Sequence, residues 1–108
     1  MKIYVEKRPA ELEEKAYWDG MNLFIHYHQF TKELYDYTDA RKLILLTDIE
    51  TVTMIFGSRG GFKRLVIKHR GEEFVLSNNH KRLCIQVYKC MRQVNFPVIK
   101  QVQKRGDD

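Results

Sequence analysis

Along most of this sequence apolar residues come in short runs separated by turn-forming residues, and only near the C-terminus do they recur at three- and four-residue spacing. Runs of the first kind read as strands, the second as one face of a helix. Lys2-Ile3-Tyr4-Val5-Glu6-Lys7 reads as a short strand. Pro9, followed by Ala10-Glu11-Leu12-Glu13-Glu14-Lys15, begins one or two helical turns, with acids at the positive end of the helix dipole. Asp19-Gly20 then lies between Ala16-Tyr17-Trp18 and the run Asn22 to His28, and Asp-Gly between apolar runs signals a hairpin. Aromatic and β-branched residues make Asn22 to Phe30 a strand, and after Thr31-Lys32 a second short extended piece, Glu33-Leu34-Tyr35-Asp36-Tyr37, follows. Asp36 and Asp39, on either side of Thr38, suit turn hydrogen bonds. Arg41 to Leu46 makes another apolar run, Thr47-Asp48 closes it, and Ile49 to Phe56 repeats the strand composition.

Gly57-Ser58-Arg59-Gly60-Gly61 is a bend between extended flanks, because Phe62 to His69 is again apolar and β-branched. Arg70-Gly71 is the next turn and Glu73-Phe74-Val75-Leu76 a further strand. With Asn78 or Asn79 as N-cap, Leu83, Cys84, Val87, Tyr88, Met91 and Val94 then line one face of an amphipathic helix over about residues 79–95, stopped by Phe96-Pro97. The order predicts an α+β, mainly β fold: about seven short antiparallel strands in a roll or barrel, its open side closed by the C-terminal helix.

The run Leu43 to Pro97, "LILLTDIETVTMIFGSRGGFKRLVIKHRGEEFVLSNN" followed by "HKRLCIQVYKCMRQVNFP", resembles a bacterial pleckstrin-homology-like (PH-like) domain. The resemblance lies in the order of an Ile-Glu strand, a glycine-bearing turn, a Leu-Val-Ile strand, a second turn, a short Phe-bearing strand and a closing helix. It implies a single PH-like domain over 1–108 and a binding module; such domains include lipid binders and peptide binders, so the fold alone assigns no ligand. Members that hold phosphoinositides do so with spaced basic residues in an early hairpin loop. Here Lys7-Arg8 is followed by Pro9, Glu11, Glu13 and Glu14, which repel a phosphate headgroup.

The 108 residues, 44% of them hydrophobic and 31% charged, suit one packed domain. No apolar run approaches the roughly 20 residues of a bilayer span, and Met1-Lys2-Ile3-Tyr4-Val5-Glu6 lacks a signal-peptide core, so a cytoplasmic location is expected. Cys84 and Cys90 are six residues apart on the helix, about 9 Å along its axis, too far for a disulfide, and read as reduced. The formal charge is +5, part of it in a tail from about residue 100, where Lys100, Lys104 and Arg105 precede Gly106-Asp107-Asp108 and fraying is expected.

The glycine segment lacks the Gly-Lys-Ser/Thr ending of a nucleotide-binding P-loop, and Phe62-Lys63-Arg64 leads into a strand rather than a helix. Gly57-Ser58-Arg59-Gly60 spells the Gly-x-x-Gly of a KH nucleic-acid clamp, but that clamp sits between helices, and strands are expected on both sides. His26 and His28 share a strand face and would need a third ligand, such as Asp36, to hold a metal. His80, four residues before Cys84, is the nearest base for a cysteine nucleophile but lacks an orienting third group. No catalytic constellation and no cofactor motif emerges. The remaining feature is basic: Arg59, Lys63 and Arg64 at the glycine turn with Lys81, Arg82, Lys89 and Arg92 on the outer helix face, and Ile85 among them without an obvious core to enter. The leading expectation is a non-catalytic module that recognises a protein partner or self-associates through a sheet edge. The alternative is a binder of nucleic acid or anionic lipid surfaces through the basic patch.

Overall fold

The computed structural model of the chain describes residues 14–103. The expected strand at 2–7 and most of the helical turns after Pro9 lie outside them. Lys15, placed by the sequence reading at the end of those turns, instead opens the first strand.

Seven strands and one helix follow in order: β1 Lys15–Asp19, β2 Asn22–Thr31, β3 Asp36–Leu45, β4 Ile49–Phe56, β5 Phe62–His69, β6 Glu72–Ser77, α1 Lys81–Gln93 and β7 Val98–Val102. They make a three-stranded sheet, β1-β2-β3, and a four-stranded sheet, β6-β5-β4-β7. The fold is thus α+β and mainly β. Within the described residues, backbone pairing joins strands inside each sheet and not between them.

The tight turns fall where the sequence places them. Asp19 pairs with Asn22 around Gly20, whose φ of +63° needs no side chain to be accommodated. Arg70 and Gly71 both have positive φ, as a two-residue hairpin turn requires to match strand twist. The β2–β3 connection differs from expectation. Glu33, Leu34 and Tyr35 belong to the turn, closed by the Tyr35 N–H donating to the Lys32 carbonyl at 3.2 Å, and β3 then runs unbroken through Thr38 and Asp39 to Leu45. The two short pieces read at 33–37 and 41–46 are therefore one strand. Asp39 stays in it because its carboxylate is satisfied across and along the sheet, by His26 on β2 and by Arg41 at 3.1 Å.

The helix begins at Lys81, after a 3₁₀ turn over Asn78–His80, rather than at an Asn N-cap; the Ser77 hydroxyl donates to Asn79 Oδ1 at 2.6 Å within that turn. It ends at Gln93, before the expected stop at Phe96-Pro97. Asn95 takes a left-handed conformation, φ +59°, and the Phe96 N–H donates to the Met91 carbonyl at 2.8 Å while the Asn95 N–H donates to Arg92's at 3.2 Å. These two bonds form a Schellman stop, which satisfies carbonyls the helix leaves open and turns the chain back.

The returning chain forms β7, which pairs in parallel with β4, Val98 beside Val52 through Val102 beside Phe56. This corrects two expectations: the strands are not all antiparallel, and residues 100–102 are not a frayed tail. A parallel neighbour needs a long crossover, here β5, β6 and α1, so no local turn announces it.

The inner faces of the two sheets and the helix share one core. Leu23, Ile25 and Ile44 come from the first sheet, Val52, Leu65, Ile67 and Leu76 from the second, and Leu83, Cys84, Val87, Cys90 and Met91 from α1. The helix also closes the free edge of β1. Gln86 Oε1 accepts the Ala16 N–H at 2.9 Å, Cys90 Sγ lies 3.6 Å from the Ala16 carbonyl, and the Trp18 indole N–H donates to the Cys90 carbonyl at 2.8 Å. Edge groups that would otherwise be buried without partners are in this way paired by side chains.

Truncation after Pro97 removes β7 and exposes Val52 and the core side of β4. It is expected to lower unfolding free energy in urea by at least about 1.5–3 kcal/mol, the worth of burying one valine side chain; a frayed tail would leave the midpoint unchanged.

Candidate functional site

The glycine segment is a hairpin turn. The Gly57 N–H donates to the Gly61 carbonyl at 2.7 Å, the Gly60 N–H donates to the Gly57 carbonyl at 2.9 Å, and Gly60 has φ +91°. Strands β4 and β5 flank it, so it lacks the paired helices of a KH clamp.

The eight residues of the expected basic patch lie on the glycine turn, on β5 and along α1, and the start of the helix meets the turn, Lys81 and Ile85 lining one cleft with Gly60 and Gly61. Arg59 is exposed in the glycine turn, and Lys63 falls at a bulge, since Phe62 pairs with Phe56 and Arg64 with Ile55. Arg64 alternates with buried Leu65 and so lies on the sheet face away from the core. Lys81 and Ile85 line an apolar cleft of about 340 Å³ with Met54, Phe56, Phe62 and the Gly60-Gly61 turn. Ile85, 43% exposed, is thus a wall of that cleft rather than an isolated apolar residue. Arg82 and Lys89 are exposed on the helix. Arg92 stands eleven residues beyond Lys81, about 16 Å along the axis and more than a Debye length at ordinary salt, so the two ends of the helix act as separate fields.

At that far end Arg92 gains partners the sequence reading missed. A cleft of about 520 Å³ is lined by Tyr88, Arg92, Asn95, Phe96 and Lys100, with Pro97 and Val98. The Lys100 ammonium lies 5.6 Å from the Tyr88 ring centre, and the Arg92 guanidinium carbon 6.0 Å from it. A hydrogen bond with the Arg92 side chain, followed by the Lys100 charge, holds the Tyr88 hydroxyl below the usual phenol range. The signal was in the sequence: Val98-Ile99-Lys100-Gln101-Val102 is a short segment rich in β-branched residues just after Pro97, and Tyr88 and Arg92 are four apart on the helix.

The histidines separate. His26 pairs with Asp39, whereas His28, buried, donates its backbone N–H to Glu14 Oε2 at 2.9 Å, and His80 Nδ1 lies 2.8 Å from the same oxygen. Asp36, the third metal ligand considered, accepts the Tyr37 N–H at 2.7 Å. Among the described residues no three His, Cys, Asp or Glu side chains are placed to hold a metal ion. Glu14 instead ties the start of β1 to β2 and to the 3₁₀ turn before α1, beside a cleft of about 360 Å³ lined by Tyr27, Phe30, Tyr37 and Phe74.

His80, turned toward Glu14, does not engage Cys84, whose thiol lies 3.6 Å from the Leu76 carbonyl as a weak donor. Both cysteines are free and buried. Burial, aided by the Glu14 charge, pushes the Cys84 thiol up to about 12, and burial raises that of Cys90 as well. Since the thiolate is the reactive form, neither thiol is expected to react with an aromatic disulfide reagent at pH 8 in the folded protein, and both to react at once in denaturant; fast native labelling of Cys84 would contradict this burial.

On the outer face of the first sheet Tyr17, Phe24 and Leu43 stand in one cross-strand row, Tyr17 and Phe24 with ring centres 5.2 Å apart. Leu43 is 59% exposed, and Leu45 and Met21 extend the apolar area. In the first sheet β1's outer edge meets the helix, and β3 has no strand against its outer edge among the described residues.

Among the described residues, no helix is long and apolar enough to cross a membrane. No family model, no curated protein and no solved structure matches this chain.

Proposed function

We propose that this chain is a non-catalytic interaction module of the cytosol that recognises a protein partner, or a second copy of itself, by adding a strand to β3. The observation that carries the reading is the ten-residue outer edge of β3, bordered by the exposed row Tyr17, Phe24 and Leu43. Backbone pairing supplies affinity in such a contact and the side chains beside it supply choice of partner. Arg41 and Lys42 put charge in the middle of the edge, the usual guard against indiscriminate pairing, and favour an incoming strand with acids opposite them. The reading keeps the PH-like frame of a β roll with a C-terminal helix, to which the parallel β7 is an addition. Binding to nucleic acid or anionic surfaces has less support, because Arg64 lies on the far face of β5 and Lys81 and Arg92 stand at opposite ends of the helix.

The register permits a selective test. The Leu46 N–H donates to the Met21 carbonyl at 2.8 Å, so ladder bonds recur at Ile44, Lys42 and Ala40, and the N–H of Leu43 points away from β2. Leu43→Pro therefore removes an outward donor without breaking a bond of the sheet. It is expected to leave the fold intact by circular dichroism. It should also abolish both self-association in sedimentation velocity and capture of protein partners from native cytoplasm. Binding by edge pairing should hardly change between low and moderate salt and should survive charge reversal at Lys89 and Arg92. A steep loss with salt, with Leu43→Pro behaving as wild type, would transfer the function to the basic residues.

A further inference from the structure

The cleft at the end of α1 has a composition that packing does not explain. Two cations, Arg92 and Lys100, are held against one phenol, and no carboxylate is among the residues lining the cleft. Each cation is attracted to the ring face, and together the two leave the cleft with a positive field that favours an anion. The donors are complementary in kind. Arg92 offers a planar fork, Lys100 a compact point charge, and Asn95 contributes an amide whose backbone is fixed by the left-handed turn. The Tyr88 hydroxyl, on the ring that both cations approach, can donate its proton to an acceptor.

A helix C-terminus ordinarily disfavours an anion through its exposed carbonyls. Here the carbonyls of Met91 and Arg92 are occupied by the N–H groups of Phe96 and Asn95, which weakens that objection. Phe96 and Pro97 add apolar lining, and about 520 Å³ falls in the range of small-ligand sites, leaving room for more than a bare ion.

We propose that the cleft between the end of α1 and β7 binds a phosphate monoester, with Arg92, Lys100 and the Tyr88 hydroxyl on the phosphate and Phe96 and Pro97 against the organic group. The anion is identified by its donors: a phosphate monoester presents three terminal oxygens and close to two negative charges, enough for a fork, an ammonium and a hydroxyl at once.

The test is calorimetry on the full chain with phenyl phosphate and inorganic phosphate at low salt. Phenyl phosphate is expected to bind at submillimolar concentration and at least about fivefold more tightly than inorganic phosphate. Arg92→Gln and Lys100→Gln should each weaken it about tenfold or more, Tyr88→Phe by severalfold, and Lys68→Ala, which removes a charge on another face, should leave it unchanged. Lys100 and Arg92 are exposed, so their variants are expected to fold, with circular dichroism as the check. Absence of binding by either probe, equal affinity for inorganic phosphate, or an equal loss in Lys68→Ala would overturn the proposal.

Discussion

The structure depends on one helix doing two jobs at the same place. The apolar face of α1 fills the space between the two sheets, and three contacts from that helix, made by Gln86, Cys90 and the Cys90 carbonyl, close the outer edge of β1. Polar backbone groups in such a setting cost about 1–3 kcal/mol each when left without a partner, so covering β1 with leucine alone would be unfavourable. Gln86 meets the requirement by accepting from the Ala16 N–H with its amide oxygen while its amide nitrogen reaches the Glu14 carbonyl at 3.5 Å. With β1 sealed, β3 is left at the other side of the same sheet.

Much of this was legible from residue order, and what was not has a physical reason in each case. Turns chosen by positive φ, Asp19-Gly20 and Arg70-Gly71, announce themselves because few residues tolerate that conformation. The helix face was readable because Leu83, Cys84, Val87 and Met91 keep a period of 3.6 that no strand shares. Strand β3 was split in the reading because Asp39 looks like a turn residue until a partner across the sheet, His26, is known. The helix end was placed too late because Asn95 rather than Pro97 stops it, and asparagine is a weaker signal than proline.

The candidate surfaces were harder to read for a different reason. A list of basic residues carries no distances, and α1 separates Lys81 from Arg92 by more than the range over which exposed charges act together. Lys100 was discounted as part of a basic tail, yet the parallel strand brings it to the ring of Tyr88, twelve residues earlier in the chain. Parallel pairing is set by tertiary packing across a long crossover, and local composition does not specify the neighbour. The edge of β3 and the cleft at the end of α1 share no residue.

The division between the edge of β1 that α1 seals and the edge of β3, which meets no strand among the described residues, can be read directly as hydrogen exchange of two amides that take no part in the ladder of the first sheet. Ala16, whose N–H is held by Gln86, should exchange about 100-fold more slowly than an unstructured amide and lose that protection in Gln86→Ala, while the outward amide of Leu43 should exchange rapidly in the isolated chain. Equal exchange at Ala16 and Leu43 in the unaltered protein would contradict the account, because the helix would then cover β1 without closing it.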